Sequence, residues 1–471
     1  MRRFFYLLPI LLLLALCTLP THLVKAAPPA NTASVFAYFP QTGHNVGLKF
    51  KQFYDAHGGL DIFGLPLTEV TTDLETGLQV QYFERARFEL HPSNLSGEPT
   101  VSLTLIGNML TKDRTEPAFA WLTSSPDSNR TFFRESGHTL GGAFGWFWQT
   151  RGGLTVFGYP ISEEFTELSP ADGKPYLVQY FQRARFEYHP ENQGTPYEIM
   201  LGTLGRQLFD LRPDAWAAAT PTRPIELLGK ATTSFATSIF ERRHNIARAT
   251  AMFDGLVVPP ATEFSFNATG DFSEKNGFVD GYAIVGGRLE RVVGGGLCQV
   301  STTIFRAVSN AGLEITQRSG HTFIVYFYEN ILGFDATVFT PSVDFRWYND
   351  TSGPVYIAAE SNPEAATVTF SLWGYNDGRT VTYAGPYTRN WVKPGKAVWQ
   401  LDPGLPANAV EQLVHGRDGV DVNYMRTVTM PDGQVLHQDD FFTRYQPWED
   451  FYIYGSDVKP PVGVTVMPPK R

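Results

Sequence analysis

Gly294-Gly295-Gly296-Leu297-Cys298-Gln299-Val300-Ser301-Thr302-Thr303-Ile304-Phe305-Arg306-Ala307-Val308 is the densest signal in the chain. Three successive glycines let the backbone take positive φ and approach another group closely. From Leu297 onward the apolar residues 297, 300, 304, 307 and 308 follow a helical period. The stretch reads as a glycine-rich turn feeding a buried helix, with Cys298 in the first turn. A helix N-terminus stabilises a thiolate and offers N–H groups to a developing oxyanion. Gln299 adds a side-chain donor beside the thiol. Ser301 and Thr302 read as residues that cap or bond within the helix.

A cysteine nucleophile needs a base. His321 follows in Ser319-Gly320-His321-Thr322-Phe323, in a loop or at the start of an apolar strand over 323–328. Asp335 lies in Gly333-Phe334-Asp335-Ala336-Thr337-Val338, entering a further strand. Thiolate, imidazole shuttle and orienting carboxylate make a chemically complete set. Each residue also has a plainer reading. Cys298 is equally a small buried hydrophobe, with Gly294, Gly295 and Gly296 serving its packing. His321 is equally a loop histidine bonded to backbone, and Asp335 ordinary turn chemistry.

The first half of the chain is duplicated. Gly58-Gly59-Leu60-Asp61-Ile62-Phe63-Gly64-Leu65-Pro66 recurs as Gly152-Gly153-Leu154-Thr155-Val156-Phe157-Gly158-Tyr159-Pro160. Gln81-Tyr82-Phe83-Glu84-Arg85-Ala86-Arg87-Phe88-Glu89-Leu90-His91-Pro92 recurs from Gln179 to Pro190. The second copy carries extra residues in a turn around Pro170–Pro175. Each copy predicts a short helix (47–56; 141–150) and then a strand (79–83; 177–181). The Arg-Ala-Arg-Phe-Glu run is expected to continue that strand, with Arg85 and Arg87 on one face and Phe88 opposite.

Composition bounds the rest. The chain has 471 residues, 43% hydrophobic and 18% charged, with 36 Phe, 21 Tyr and 9 Trp, which favours several packed, β-rich cores over disorder. A formal charge of −9 argues against a nucleic-acid partner. Met1-Arg2-Arg3, the apolar run 4–19 and Val24-Lys25-Ala26 read as a secretory signal over 1–26; the alternative is an uncleaved anchor, the chain's one membrane contact. Of the two cysteines, Cys17 falls in that segment, leaving Cys298 without an intramolecular partner. No metal-ligand spacing, P-loop or dinucleotide fingerprint is present, so neither metal nor cofactor is expected. The fold class is multidomain β-rich α+β. Its parts are repeat modules over 34–122 and 131–212, a linker over 213–224, a mixed α/β domain over 225–373, a β module over 374–456 and a tail over 457–471.

The segment 294–303, His321 and 333–338 together resemble the VanW family. So do Arg242-Arg243-His244-Asn245-Ile246, Pro260 to Asn267, Gly277 to Val293 and Val343 to Asp350. Ala261 stands where the family usually has glycine, and 328–332 lacks its common proline. The resemblance implies a bacterial envelope protein of a family named from accessory proteins of vancomycin-resistance clusters, without itself implying a reaction. The Phe-Gly-x-Pro pieces resemble LGFP-type repeats of wall-associated proteins. Residues 415–420, 423–428, 431–433 and 452–455 resemble the G-five domain, which implies adhesion to wall or amino sugars. Two functions follow as expectations for a secreted, envelope-associated protein. One is Cys-dependent acyl transfer or hydrolysis on peptidoglycan stem peptides, with Cys298, His321, Asp335 and Gln299 as nucleophile, shuttle, orienter and oxyanion donor. The other is a non-catalytic wall-binding scaffold or accessory protein in envelope maintenance or glycopeptide resistance.

Overall fold

The computed structural model describes residues 35–91, 100–170, 172–285 and 288–469. The signal segment read over 1–26 lies outside the described residues. The architecture is β-rich α+β, built from several small sheets.

The two copies in the first half carry the same elements in the same order. Each has a β-hairpin and then a helix (Leu48–Ala56; Gly142–Arg151). A four-stranded antiparallel sheet follows. In the first copy it runs Thr71–Thr72, Gln79–Tyr82, Arg87–His91, Thr100–Leu103; in the second Phe165–Leu168, Pro175–Tyr180, Arg185–Tyr188, Ile199–Leu201. The Arg-Ala-Arg-Phe-Glu run does not extend the preceding strand. Phe83 N donates to Ala86 O at 2.8 Å and closes a turn, so Tyr82 faces Arg87 across an antiparallel pair. Arg85 sits in that turn and donates to Leu60 O at 3.0 Å, while Arg87 and Phe88 are both buried. Arg85 and Ala86 close a hairpin by local hydrogen bonds, and Arg87, Phe88 and Glu89 open the next strand instead of continuing the first.

The copies exchange their C-terminal ends. Arg114, just after the first copy, pairs with Glu167 of the second at 2.7 Å; Arg212 after the second pairs with Asp73 of the first at 3.3 Å. The helices Ile106–Thr111 and Leu204–Asp210 press glycines onto the other copy's backbone. A Cβ on Gly107 would lie 1.9 Å from Phe181 O, and one on Gly205 would lie 2.0 Å from Phe83 O. The copies therefore share apolar clusters instead of forming separate cores. Residues 213–224, a linker by composition, include the 3-10 turn Pro213–Ala219 with Ala215 buried in one of those clusters.

In the second half the helix Leu297–Asn310 is the centre. It packs on Glu226–Ser234 and Thr367–Gly374 of an antiparallel sheet that also holds Val355–Asn362 and Val257–Val258. Within the part expected to be mixed α/β, the sheet is antiparallel and its strands return without crossover helices, an α+β arrangement. The sheet Thr380–Val392, Gly419–Thr429, Val435–Tyr445 closes over the same core: Val420, Val422, Tyr424, Phe441 and Tyr445 are buried with Phe305 and Phe334. In the stretch read as a tail, Thr465–Met467 adds a parallel strand beside Val398–Leu401.

Two strands expected near the site are absent. Residues 323–328 run into a 3-10 turn, Tyr326–Ile331, because Thr322 O accepts from Gln446 N at 2.7 Å and Phe323 packs on Trp448. Residues 334–338 are extended but unpaired with any strand, for a reason that belongs to the site below.

Two predictions follow from backbone geometry. Gly107→Ala and Gly205→Ala each force the exchanged helices off the facing carbonyls, and each should lower unfolding stability by about 1–3 kcal/mol in urea titrations. Ala261, where the family resemblance expects glycine, sits at φ 54°, held by its N–H on Asn349 O at 2.9 Å. Ala261→Gly relieves that left-handed strain and should raise stability by roughly 0.5–1 kcal/mol in the same assay.

Candidate active site

The glycine turn does two jobs. Gly296 takes φ 116° as the residue before the helix. Gly295 lies flat against Gly281, where a Cβ would come within 2.4 Å of the Gly281 carbonyl carbon. Buried Asn245 locks this contact by donating to Val279 O at 2.8 Å and Gly295 O at 3.1 Å, and accepting from Val279 N at 3.0 Å. The turn delivers Cys298 as the second residue of the helix, a half-buried residue.

Every residue from Gln299 to Ser309 is buried, so this helix carries polar side chains on interior faces, and each needs a partner. Three of them, together with Cys298, satisfy the backbone of 334–338. Ser301 Oγ and Thr302 Oγ1 donate to Ala336 O at 2.5 and 3.1 Å. Ala336 N donates to Thr302 Oγ1 at 3.1 Å, and Arg306 Nε donates to Phe334 O at 2.7 Å. Cys298 Sγ donates to Val338 O at 3.4 Å and lies 3.5 Å from Thr337 Oγ1. This is why 334–338 needs no neighbouring strand. The Ser301 hydroxyl also meets Cys298 O within its own helix at 3.4 Å, as expected, while both hydroxyls reach beyond the helix to Ala336.

Held this way, Asp335 is buried at 2% exposure. Its Oδ2 accepts from His321 N at 2.9 Å and bonds the same residue's Nδ1. Its Oδ1 accepts from Tyr445 OH at 2.6 Å and meets Arg318 at 3.5 Å. Arg318 also donates to Asp335 O at 2.6 Å and Gly333 O at 2.7 Å. With Nδ1 committed to Asp335, the opposite ring nitrogen is the one available to the Cys298 sulfur, and thiol and imidazole are hydrogen-bonded. The structure thus brings Cys298, His321 and Asp335 into one chain.

The electrostatics follow from that order. Burial alone would push the thiol up; the hydrogen bond and charge of His321, helped by Thr337, outweigh it and bring Cys298 down to about 7. Burial would lower His321, but Asp335 and the sulfur raise it to about 9. Burial likewise opposes ionisation of Asp335, yet His321, Arg318 and Tyr445 hold it well below the usual carboxylate range. Each partner's charge thus favours the other's, and both shifts act towards a thiolate–imidazolium pair.

Gln299 does not join the site. Its amide nitrogen donates to Thr233 Oγ1 at 3.0 Å and Ser234 O at 2.8 Å, spending both donors on the neighbouring strand. The oxyanion role expected for Gln299 fails because a fully buried amide must satisfy itself within the core. Arg318, Thr337 and Tyr445 were not singled out from sequence. Arg318 and Thr337 lie within a few residues of His321 and Asp335, a usable proximity signal. Tyr445 comes from the distant C-terminal sheet and had none. Among the described residues no cluster of three His, Cys, Asp or Glu side chains is placed to hold a metal ion.

The family model described as "VanW like protein" matches residues 241–373, which contain Cys298, His321, Arg318 and Asp335. Residues 241–373 are a VanW-like domain. The chain is 42% identical over 134 residues to "Uncharacterized protein YoaR" of Bacillus subtilis (strain 168), covering 28% of this chain and 44% of that protein. It is 33% identical over 111 residues to "Vancomycin B-type resistance protein VanW" of Enterococcus faecalis (strain ATCC 700802 / V583), covering 23% and 40%. The chain thus spans less than half the length of these curated relatives. The solved chain described as "Crystal structure of HP0197-G5" matches at 20% identity with a TM-score of 0.09, over 16% of this chain and 97% of that one. The match to the VanW-like domain stops before Tyr445, so one of the hydrogen bonds to Asp335 comes from outside it.

Thiol reactivity reads the pair directly. Alkylation of Cys298 by iodoacetamide should titrate with a midpoint near 7 in the wild type, because the His321 contact lowers the thiol. In His321→Ala the midpoint should rise to at least about 8.5, the value of an unassisted thiol.

Proposed function

We propose that the VanW-like domain is a cysteine-dependent acyl transferase or hydrolase acting on the peptide amides of peptidoglycan stem peptides. The observation that carries this reading is the hydrogen-bonded series Cys298–His321–Asp335 at a helix N-terminus. A solely structural cysteine requires none of these arrangements.

The chemistry runs in two steps. The Cys298 thiolate attacks the amide carbonyl carbon, and a C–S bond forms as the C–N bond breaks. His321 gives its proton to the departing amine, while Asp335 holds the ring by Nδ1. Water or an acceptor amine then attacks the thioester. His321 takes the incoming proton, the C–S bond breaks, and the thiolate returns. Leu297 N and Gln299 N already bond Gly294 O and Gly296 O at 3.1 and 3.0 Å. The N–H of Cys298 is the first-turn donor we assign to the oxyanion in place of the Gln299 side chain.

The substrate class draws on the enterococcal relative, whose name ties it to vancomycin resistance. We place the protein outside the cytoplasm, associated with the cell envelope, on the residues read as a signal segment. The duplicated N-terminal modules and the C-terminal β module hold it on wall polymer in this scheme, a role resting on the LGFP-like and G-five-like resemblances.

Purified full-length protein incubated with muropeptides should release a cleaved or exchanged peptide. Acid quenching should trap a mass adduct on Cys298. Cys298→Ala should show no adduct and at least about 10³-fold slower turnover. Turnover by Cys298→Ala at the wild-type rate, or no adduct and no product from the wild type, would leave the domain as a non-catalytic scaffold.

A further inference from the structure

The extended segment that carries Asp335 continues past the site. Side chains alternate along an extended chain, so residues 335, 337 and 339 share one face. Asp335 holds His321, and Thr337 Oγ1 lies 3.5 Å from Cys298 Sγ. The alternate residues Ala336 and Val338 are buried in the core. Phe339 is the third member of the row. Exposure climbs along it from the core outward: Asp335 is 2% exposed, Thr337 half-buried and Phe339 59% exposed. The Val338 carbonyl, which accepts from the Cys298 thiol at 3.4 Å, belongs to the peptide that joins Val338 to Phe339. An apolar ring therefore follows directly on the peptide that touches the sulfur.

This ring stands on a braced turn. Phe339 and Val343 exchange both backbone hydrogen bonds at 2.8 Å, closing 339–343. Thr340 Oγ1 donates to Asn267 Oδ1 at 3.0 Å, and Asn267 Nδ2 donates to Val343 O at 2.9 Å. Asn267 N in turn donates to Asp344 Oδ1 at 3.0 Å. Single exposed apolar side chains are ordinary on protein surfaces, so exposure by itself decides nothing. Position does: the ring ends the row that orients the imidazole and contacts the thiol. A turn fixed in advance spends little ordering entropy when a ligand settles on it. A phenyl face carries no charge and no N–H or O–H donor, so it favours an apolar group.

We propose that Phe339 is a specificity-determining residue of the Cys298 site, forming a subsite for an aliphatic side chain next to the scissile carbonyl of a peptide substrate. The subsite rests on the cysteine chemistry proposed above. Consecutive Cα atoms lie about 3.8 Å apart, so a residue flanking an amide at the sulfur comes level with the ring one peptide unit beyond the thiol contact. An aliphatic side chain there is drawn out of water onto the phenyl face, and a charged one gains nothing from it.

Alkylation tests the subsite apart from the reaction. Iodoacetamide and N-butyl iodoacetamide bring the same electrophilic carbon to Cys298, and only the second carries an aliphatic arm. In the wild-type full chain the butyl reagent should react at least about fivefold faster, once each rate is divided by that reagent's rate with free glutathione. In Phe339→Ala, checked for an unchanged circular dichroism spectrum, the preference should fall to within about twofold. The alkylation midpoint should stay near 7, because the His321 contact is untouched. With muropeptides the same variant should raise KM at least about fivefold. A preference that Phe339→Ala abolishes supports the subsite even where muropeptides are not turned over, a result that fells the reaction alone. Equal rates for the two reagents in the wild type, a preference unchanged in Phe339→Ala, or an unchanged KM where turnover is measured would overturn the subsite.

Discussion

A carboxylate buried at Asp335 has to be paid in hydrogen bonds, and the second half of the molecule is arranged around supplying them. The donors come from three places in the sequence: the 318–321 loop gives Arg318 and both the backbone and ring of His321, and the C-terminal sheet gives Tyr445. The peptide that carries Asp335 is held in turn by hydroxyls and a guanidinium of the central helix. Removing any of these leaves a charge in the core without its full set of partners. The same arrangement makes Asp335 an acceptor that orients His321 and supports its positive charge.

This constraint also explains why the C-terminal sheet packs on the VanW-like domain instead of standing apart. Tyr445 OH donates to Asp335 Oδ1 and accepts from Gly333 N at 2.9 Å, so one hydroxyl ties the loop bearing the carboxylate to the last long strand. Phe305, Phe334 and Phe441 pack around it, with Arg318 lying 5.4 Å over the Phe305 ring. Cation–ring contact and hydrogen bonding together fix Arg318 where its charge bears on Asp335.

The duplicated half follows a different logic. Two copies that each bury only part of an apolar face gain by exchanging their end helices, and the reciprocal Arg114–Glu167 and Arg212–Asp73 pairs mark the exchange.

Much of the local structure was legible in the chain. The glycine run and the 297, 300, 304, 307/308 period placed the central helix and put Cys298 in its first turn. The repeat was visible as repeated words, and helices expected over 47–56 and 141–150 occur at Leu48–Ala56 and Gly142–Arg151. These features are legible because backbone conformation and apolar period are local properties. Tertiary structure alone decided the rest. It spent the Gln299 amide on the Thr233–Ser234 strand, turned 334–338 into a segment bonded by helix side chains, and brought Arg318 and Tyr445 to Asp335. The physical reason is that a buried polar group takes whichever partner the packed core leaves within about 3 Å, and sequence spacing does not record that distance.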